Sequence, residues 1–367
     1  MTIAQIRSHV LSVPRPMLSG RPGRLNSVVV EVETADGRFG FGEALCFATP
    51  RGTAAIVEDV FAPRLRGRDE TAIAARWDDM RGALVGSMTG IGAEALSAVD
   101  IALWDLLGRT LGAPIHRLLG GHGRSRLPAY ASFVGWIADD DAAAVARDAV
   151  ARGFCCVKVK LSPPLALAQA RATFMRDVVG PAVDLVADPN GAFSRQEAAQ
   201  LARTLASLGY LWLEEPIDPS DSRGMADIVR LALLPVAAGE NEYAPSGALG
   251  LAEMRAVDIL QPDCGRIGGI TGVTRAVCGA SSHGLAFAPH HAGGAIKAAA
   301  AMQLAAALPG FTILECSVLR TPLHDAVTRA PVSHPDQLDA ASTLPVPQGP
   351  GLGIEIDRAA LERLTLH

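Results

Sequence analysis

Beyond residue 126 the sequence alternates between short apolar runs and longer amphipathic segments, with a repeat of about 25 residues. One strand, one helix and two short loops require about that length. Residues 140–152, 194–208 and 294–308 are among the helical segments that separate the runs. Eight such units predict an α/β fold closed as a parallel (β/α) barrel of the TIM type, with a doubly wound sheet as the alternative. The eight predicted strands are 127–133, 154–160, 183–188, 210–214, 235–240, 257–261, 285–288 and 311–315.

The residues before the barrel have a different pattern, which predicts an α+β domain. Two apolar strands, 27–34 and 38–44, are joined at Asp36-Gly37, a dipeptide typical of tight hairpins. Residues from about 53 to 119 then show helical periodicity, so that strands precede helices. The predicted organisation is an N-terminal α+β domain over 1–125, a barrel over 126–335, and a Pro/Gly-rich tail over 336–367 that crosses back to the first domain.

Charge and composition exclude several classes of protein. The chain has 33 basic and 38 acidic residues, a formal net charge of −5, so it lacks the cationic excess of nucleic-acid or polybasic membrane binders. Its 49% apolar content is too high for a disordered chain. The six cysteines form no CxxC pair, and the apolar run 298–308 is too short to span a bilayer. We therefore expect a cytoplasmic protein with reduced thiols, without a membrane or nucleic-acid partner.

Two lysines lie within the second predicted barrel strand. Lys158 and Lys160 are two residues apart, so both ammonium groups point to the same face, opposite Val157 and Val159. An edge strand with solvated lysines is the simpler interpretation of such a pair. Inside a barrel, however, two adjacent lysines repel each other and lower each other's pKa, which is one way in which a lysine becomes a usable base.

Three carboxylates follow at the ends of the next three predicted strands. Asp188, Glu214 and Glu240 are spaced 26 and 26 residues apart, which is one strand–helix unit each. Their side chains are therefore expected side by side at the carboxyl ends of consecutive strands. Each residue alone is typical of a helix N-cap or a loop charge. Three converging carboxylates repel strongly, and together they predict a site for a hard divalent cation such as Mg²⁺.

The remaining strand ends carry an acid, a histidine pair and a further acid. Asp263 follows the sixth predicted strand, His290 follows the seventh, and Glu315 closes the eighth. An Asp next to a His on the neighbouring strand is typical of a general base, because the carboxylate fixes the imidazole tautomer. A hydrogen-bonded core histidine is the alternative. His291 competes with His290 for the catalytic position, since adjacent residues point to opposite sides.

This ordered set of motifs resembles the enolase superfamily and, within it, the mandelate racemase-like acid-sugar dehydratases. The resemblance covers nearly the whole chain. A lysine in place of Asp263 is usual in the muconate-cycloisomerase branch, so that branch is disfavoured. The motifs are the helix Ala95–Gly120, Lys158-x-Lys160, Asp188-Pro-Asn190, Glu214-Glu215-Pro216, Gly239-Glu240-Asn241, Gln261-Pro262-Asp263 and Pro289-His290.

The resemblance implies a role for each residue on one side of the site. Asp188, Glu214 and Glu240 would bind Mg²⁺. Lys160 would be the base on one face of the substrate, and Lys158 would lower the pKa of Lys160 and contact the substrate carboxylate. The first domain would act as a capping domain whose loops cover the mouth of the barrel.

On the opposite face the resemblance implies that His290, paired with Asp263, is an acid or base. Glu315 would hydrogen-bond the substrate carboxylate, and Asn190 would contact the substrate. Arg15, in the capping domain, is a candidate for binding the distal end of the substrate, and a solvent-exposed arginine is the alternative.

The implied reaction is the Mg²⁺-dependent dehydration of a sugar acid, either an aldonate or an aldarate. Removal of the proton α to the carboxylate gives an enediolate, and loss of the β-hydroxyl gives a 2-keto-3-deoxy acid. The alternative is a racemase or epimerase of a 2-hydroxy acid, which would use the same lysine and histidine without elimination. We expect a small-molecule acid-sugar substrate and a homo-oligomeric enzyme.

Overall fold

A computed structural model describes residues 2–18, 21–47, 49–85, 88–121, 123–133 and 137–366. The side chains of 15–18 and 21–22 lie outside the described part. None of the helices in these ranges combines the length and the hydropathy that a bilayer crossing requires.

The N-terminal part consists of an antiparallel sheet covered by helices. Its three strands are β1 (Ile3–Leu18), β2 (Arg21–Thr34) and β3 (Phe39–Leu45), paired in the order β1-β2-β3. The sequence predicted the β2–β3 hairpin, and its register pairs Val30 with Gly42. The helices are α1 (Pro50–Ala55), α2 (Ala62–Leu65), α3 (Ile73–Ala83), α4 (Gly90–Leu111) and α5 (Ile115–Leu118), with a π-helical segment, Ile56–Phe61, between α1 and α2.

All eight predicted barrel strands are present. They pair in parallel in chain order from the first to the seventh, and the eighth pairs with the first. A parallel bridge between Phe287 and Phe311 links the seventh strand to the chain just before the eighth. The barrel strands are β4 (Arg126–Ser132), β5 (Cys156–Lys160), β6 (Asp184–Asp188), β7 (Leu213–Glu214), β8 (Val236–Ala238), β9 (Ile259–Leu260), β10 (Ala286–Phe287) and β11 (Leu314–Ser317).

A helix follows each of the first seven barrel strands, as the sequence repeat predicts. A short helix, α13 (Pro322–Asp325), follows the eighth strand. The tail contains a 3₁₀ turn at Pro335–Gln337, β12 (Thr343–Pro345), and α14 (Arg358–Leu364). The seven helices are α6 (Asp139–Ala151), α7 (Leu165–Val179), α8 (Arg195–Ser207), α9 (Ser222–Val229), α10 (Pro245–Glu253), α11 (Gly269–Ser281) and α12 (Ala295–Ala307).

The tail contacts both parts of the molecule. Strand β12 pairs antiparallel with β4 of the barrel, so the tail starts on the barrel. Further on, Thr365 forms a bridge with Leu11 of β1, and Arg358 donates to Glu31 of β2 at 2.5 Å. The last residues of the chain therefore pack on the N-terminal sheet.

The alternation along β5 decides what faces the barrel interior. Val157 and Val159 point outward into the core between the strands and the helices. Cys156 belongs to a small apolar cluster with Tyr130, Val186, Trp212 and Ala237, one layer of side chains inside the barrel. Lys158 and Lys160 follow on the same face as Cys156, so both lysines are buried above this layer.

Buried polar contacts hold the N-terminal part against the barrel. Asp100 on α4 accepts hydrogen bonds from the main chain and the hydroxyl of Thr271, at 2.9 and 2.7 Å, in the first turn of α11. Trp77 donates its indole N–H to the carbonyl of Gly268 at 2.9 Å. These contacts fix the first domain over the carboxyl ends of the strands, where α11 begins.

We predict that Gly42→Ala destabilises the protein by about 1–3 kcal/mol, the usual cost of overpacking. A Cβ at Gly42 would overlap the main chain of Ala98 in α4 and lie 2.7 Å from the nitrogen of Ala102. Gly82→Ala is the matched control, because a Cβ there meets no atom within 4 Å. In a helix this change is expected to stabilise by about 0.4–1 kcal/mol. Urea unfolding measures both, and equal effects would contradict this packing.

Candidate active site

Three carboxylates meet at the carboxyl ends of β6, β7 and β8. Asp188 and Glu214 are the last residues of their strands, and Glu240 lies two residues beyond β8. One oxygen of each lies within 4.8 Å of one oxygen of each of the others. Asp188 and Glu214 are almost fully buried, whereas 9% of Glu240 is exposed. The spacing of the sequence therefore brings the three side chains together as expected.

The two lysines of β5 contact this cluster directly. Lys158 Nζ lies 2.9 Å from Glu214 Oε1, 2.7 Å from Glu315 Oε1 and 3.6 Å from Asp188 Oδ2. Lys160 Nζ pairs with Asp188 Oδ2 and donates to Asn190 Oδ1 at 3.0 Å. Each ammonium group is thus surrounded by carboxylate or amide oxygens.

The environment of Lys158 corrects one expectation drawn from the sequence. Burial alone would lower its pKa, but Glu214 and Glu315 stabilise the ammonium and raise the pKa well above its usual value. For Lys158, the predicted lowering of the pKa by the neighbouring lysine is therefore wrong, because the flanking carboxylates outweigh the repulsion.

The pKa values of two adjacent buried carboxyl groups, Asp188 and Glu214, shift in opposite directions. Burial would raise the pKa of Asp188, but Lys160 and Lys158 outweigh it and lower the pKa to about 2. Burial and the charge of Asp188 raise the pKa of Glu214 to about 7. Opposite shifts on adjacent acids are typical of carboxylates forced together, and a cation between them relieves the repulsion.

His290 forms a dyad with Asp263 on the other side of the cluster. Its Nδ1 lies 2.6 Å from Asp263 Oδ2, and its Nε2 lies 3.2 Å from Glu240 Oε2. Burial would lower the pKa of His290, but Glu240 and Asp263 raise it. The adjacent His291 has no hydrogen-bond partner on either ring nitrogen among the described residues, and its burial holds its pKa well below the usual value. Of the two histidines, His290 is the one that contacts the cluster.

Glu315 is enclosed by protein donors. Its Oε1 accepts from Lys158 and, at 2.6 Å, from the hydroxyl of Ser132, while its Oε2 accepts from the main chain of His291 at 2.9 Å. Burial opposes ionisation, but Lys158 and His290 hold the pKa of Glu315 well below its usual range. The side chain is therefore a carboxylate that anchors Lys158.

The acidic cluster fits a divalent cation of the Mg²⁺ type. It offers three oxygen ligands, the donors that hard cations prefer, in a site with little solvent access. The ligands are themselves supported, since Gln261 donates to Glu214 Oε2 at 2.9 Å. Arg266 donates to the carbonyl of Glu240 at 3.0 Å and stacks on the ring of Tyr243. Such outer contacts orient metal ligands.

Two further basic residues bear on the site. The sequence predicted Arg15 for it, but not Lys297. Arg15 lies in β1, and its side chain is outside the described part of the chain, so its predicted contact stays a prediction. Lys297, for which the sequence predicted no role, pairs with Asp263. The sequence signal for Lys297 is a single lysine within the apolar helix α12. A charge buried in such a helix requires an oppositely charged partner.

The chain is an eight-stranded barrel with ionisable side chains clustered at the carboxyl ends of its strands. A second domain covers the same end of the barrel. This arrangement is typical of barrel enzymes, whose active sites lie at that end. Residues 4–120 match the family model of the mandelate racemase/muconate lactonizing enzyme N-terminal domain. Residues 141–360 match that of the enolase C-terminal domain-like family. The chain therefore belongs to the enolase superfamily, in its mandelate racemase-like group.

Three named relatives align with more than nine tenths of the chain. A D-galactarolactone cycloisomerase of Agrobacterium fabrum is 34% identical over 98% of this chain and 98% of its own length. A D-gluconate dehydratase of Thermoproteus tenax is 32% identical over 92% of this chain and 69% of its own length. An arabinonate dehydratase of Saccharolobus solfataricus is 31% identical over 91% and 89%.

Solved structures have the same fold over the whole chain. The 3,6-anhydro-D-galactonate cycloisomerase of Zobellia galactanivorans superposes with a TM-score of 0.90 at 28% identity, covering 100% of both chains. A racemase from Streptomyces coelicolor A3(2) with bound magnesium has a TM-score of 0.90 at 26% identity, covering 99% of this chain and 100% of its own.

Proposed function

We propose that this chain is a Mg²⁺-dependent lyase that dehydrates a sugar acid, an aldonate or an aldarate, to a 2-keto-3-deoxy acid. One observation carries the proposal. Lys160 on β5 and His290 after β10 lie on opposite sides of the three carboxylates at the carboxyl ends of β6, β7 and β8. Such an arrangement presents a proton acceptor and a proton donor to the two faces of one substrate carbon skeleton.

In this proposal Asp188, Glu214 and Glu240 hold the cation. When bound, the cation supplies positive charge that stabilises the negative charge developing on the substrate carboxylate. Lys158, kept protonated by Glu214 and Glu315, adds a second positive charge in a site with little water. The hydrogen bond from Glu315 to the substrate carboxylate, implied by the family resemblance, stays a prediction.

Two proton transfers follow from the chain's own residues. Lys160 Nζ, as the neutral amine, removes the proton at carbon 2, next to the carboxylate, and becomes an ammonium group, while the substrate becomes an enediolate. His290 Nε2 then donates a proton to the hydroxyl at carbon 3, which leaves as water. The enol that remains takes up a proton from solvent at carbon 3 and gives up the proton of its hydroxyl at carbon 2, and it becomes the 2-keto-3-deoxy acid. We expect Asn190, which contacts Lys160 at 3.0 Å, to touch the substrate beside that lysine.

A second candidate function is the isomerisation of a cyclic sugar acid. The same α-proton is removed, but a ring oxygen leaves in place of the hydroxyl, so that no water is lost. The similarity over the full chain to two proteins named as cycloisomerases favours this candidate. The mass of the product distinguishes the two reactions, because dehydration removes one water and isomerisation does not.

A substrate screen tests the proposal. The purified chain is incubated with Mg²⁺ and a library of mono- and di-acid sugars and their lactones, and 2-keto acid is detected as its semicarbazone. We expect keto acid from at least one sugar acid and none from a Lys160→Met variant. If no sugar acid gives keto acid, but one exchanges its α-proton in D₂O, the racemase or epimerase alternative replaces the proposal.

A further inference from the structure

The chain contains only three lysines, and the structure places all three in one region. Two are the β5 pair, the third is Lys297, and every other member of the 33 Lys and Arg residues is an arginine. Lys297 lies in the first turn of α12, a helix whose 13 residues are all buried. Its own exposure is 0%. An ammonium group buried in an apolar helix is costly unless a carboxylate pairs with it.

The partner of Lys297 is the carboxylate that holds the catalytic histidine. Lys297 Nζ donates to Asp263 Oδ2, the same oxygen that lies 2.6 Å from His290 Nδ1. The other oxygen, Asp263 Oδ1, accepts from the main chain of Gly265 at 2.7 Å. Both oxygens are therefore fixed, and the Asp263 carboxylate cannot rotate without breaking one of these contacts.

Two glycines in the neighbouring loops leave room for the aliphatic part of the Lys297 side chain. A Cβ at Gly265 would lie 2.7 Å from Lys297 Cδ, and a Cβ at Gly293 would lie 2.9 Å from Lys297 Cε. Both positions must lack a side chain for the stem to pass. This narrow passage suits the unbranched chain of a lysine, whereas the wide planar group of an arginine requires more room.

The N-terminal domain holds the turn of helix that carries Lys297. Glu43 on β3 accepts from the main-chain nitrogen of Gly294 at 2.6 Å and from that of Lys297 at 2.9 Å. It thereby satisfies free N–H groups at the start of α12. A continuous set of buried contacts thus runs from the N-terminal domain through Lys297 and Asp263 to His290.

From these contacts we propose that Lys297 is a positioning residue that, through Asp263, fixes the imidazole ring of His290 for proton transfer. The proposal rests on the proposed function for the step that His290 performs. Lys297 does not reach the reacting atoms, because it is fully buried behind Asp263. Its removal should therefore impair the step of His290 and leave the step of Lys160 intact.

The first arm of the test measures the histidine itself and needs no substrate. A short imidazole N–H···carboxylate hydrogen bond gives a downfield proton resonance, assigned here by its loss in His290→Asn. We expect Lys297→Met, which keeps the stem and removes the charge, to shift or abolish that resonance. Gln303→Met is the matched control on the same helix, because it also removes buried hydrogen bonds, to Pro347 and Leu352, away from the dyad. It should leave the resonance in place.

The second arm compares two rates on one substrate in D₂O with Mg²⁺. Exchange of the α-proton reports on Lys160, and formation of keto acid reports on His290. In Lys297→Met the ratio of exchange to elimination should rise at least ~10-fold. This factor is smaller than the full rate contribution of an acid–base catalyst, because His290 itself is still present. In Gln303→Met the ratio of exchange to elimination should equal that of the unmodified chain, even if the unfolding midpoint falls.

Each outcome decides the proposal. A shifted resonance together with a raised ratio supports it. An unchanged resonance in folded Lys297→Met, or an unchanged ratio, overturns it, and parallel loss of both rates shows a structural role only. If no sugar acid is turned over, the proposed function fails while the resonance arm still decides whether Lys297 fixes His290.

Discussion

Replacing Lys160 by methionine will lower the rate of α-proton loss from the substrate by about 10²–10⁴-fold, the usual contribution of a positioned acid–base catalyst. The residue is 6% exposed and contacts Asp188 and Asn190, so we infer that it is the member of the β5 pair with access to the space above the cluster. Lys158, at 1% exposure, lies deeper, between Glu214 and Glu315.

A second variant separates the loss of the base from the loss of its charge. Lys160→Arg keeps a cation beside Asp188, but a guanidinium does not give up its proton in proteins. We expect it to be as impaired as Lys160→Met in α-proton exchange while keeping the unfolding free energy closer to that of the unmodified chain. Substantial exchange in the arginine variant would show that another group removes the proton.

Removing the cation, or one of its carboxylates, should have an effect of similar size on turnover. In the proposed mechanism Asp188, Glu214 and Glu240 hold the cation, so losing one of them removes the positive charge that would stabilise the enediolate, which is worth several kcal/mol. We expect EDTA to abolish keto-acid formation and Mg²⁺ to restore it. Binding also stabilises the fold, by about 2.7 kcal/mol at a Mg²⁺ concentration of 100 times Kd.

Glu240→Gln and Glu242→Gln form a matched pair for this test. Glu240 belongs to the cluster, whereas Glu242, two residues further on, is half-buried and outside it. If Glu240→Gln weakens Mg²⁺ binding 100-fold, the stabilisation at the same concentration falls to about 0.4 kcal/mol. Glu242→Gln should keep the full stabilisation. Full activity in Glu240→Gln, or no effect of EDTA, would contradict the metal site.

The barrel and the carboxylate cluster could be predicted because both follow from local spacing. A strand–helix unit has a nearly fixed length, so Asp188, Glu214 and Glu240 at 26-residue intervals were expected at or just beyond the carboxyl ends of consecutive strands. The period of two in a strand likewise predicts that Lys158 and Lys160 share one face of β5, because alternate side chains point to the same side.

Other features depend on contacts between distant segments, which spacing does not encode. Lys297 reaches Asp263 across 34 residues, and Glu43 reaches α12 from 251 residues away. The raised pKa of Lys158 has the same origin, because it depends on Glu214 and Glu315 from other strands. A local sequence pattern indicates that a lysine is buried, but only the packed structure shows which carboxylate pairs with its charge.

The most direct test of the dehydratase proposal is an NMR analysis of the reaction of a substrate found in the screen, run in D₂O with Mg²⁺. The proposal predicts a 2-keto-3-deoxy acid that has lost one water and carries one deuterium at carbon 3, from protonation of the enol. Recovery of the sugar acid with deuterium at carbon 2 and no keto acid would contradict it and identify a racemase or epimerase.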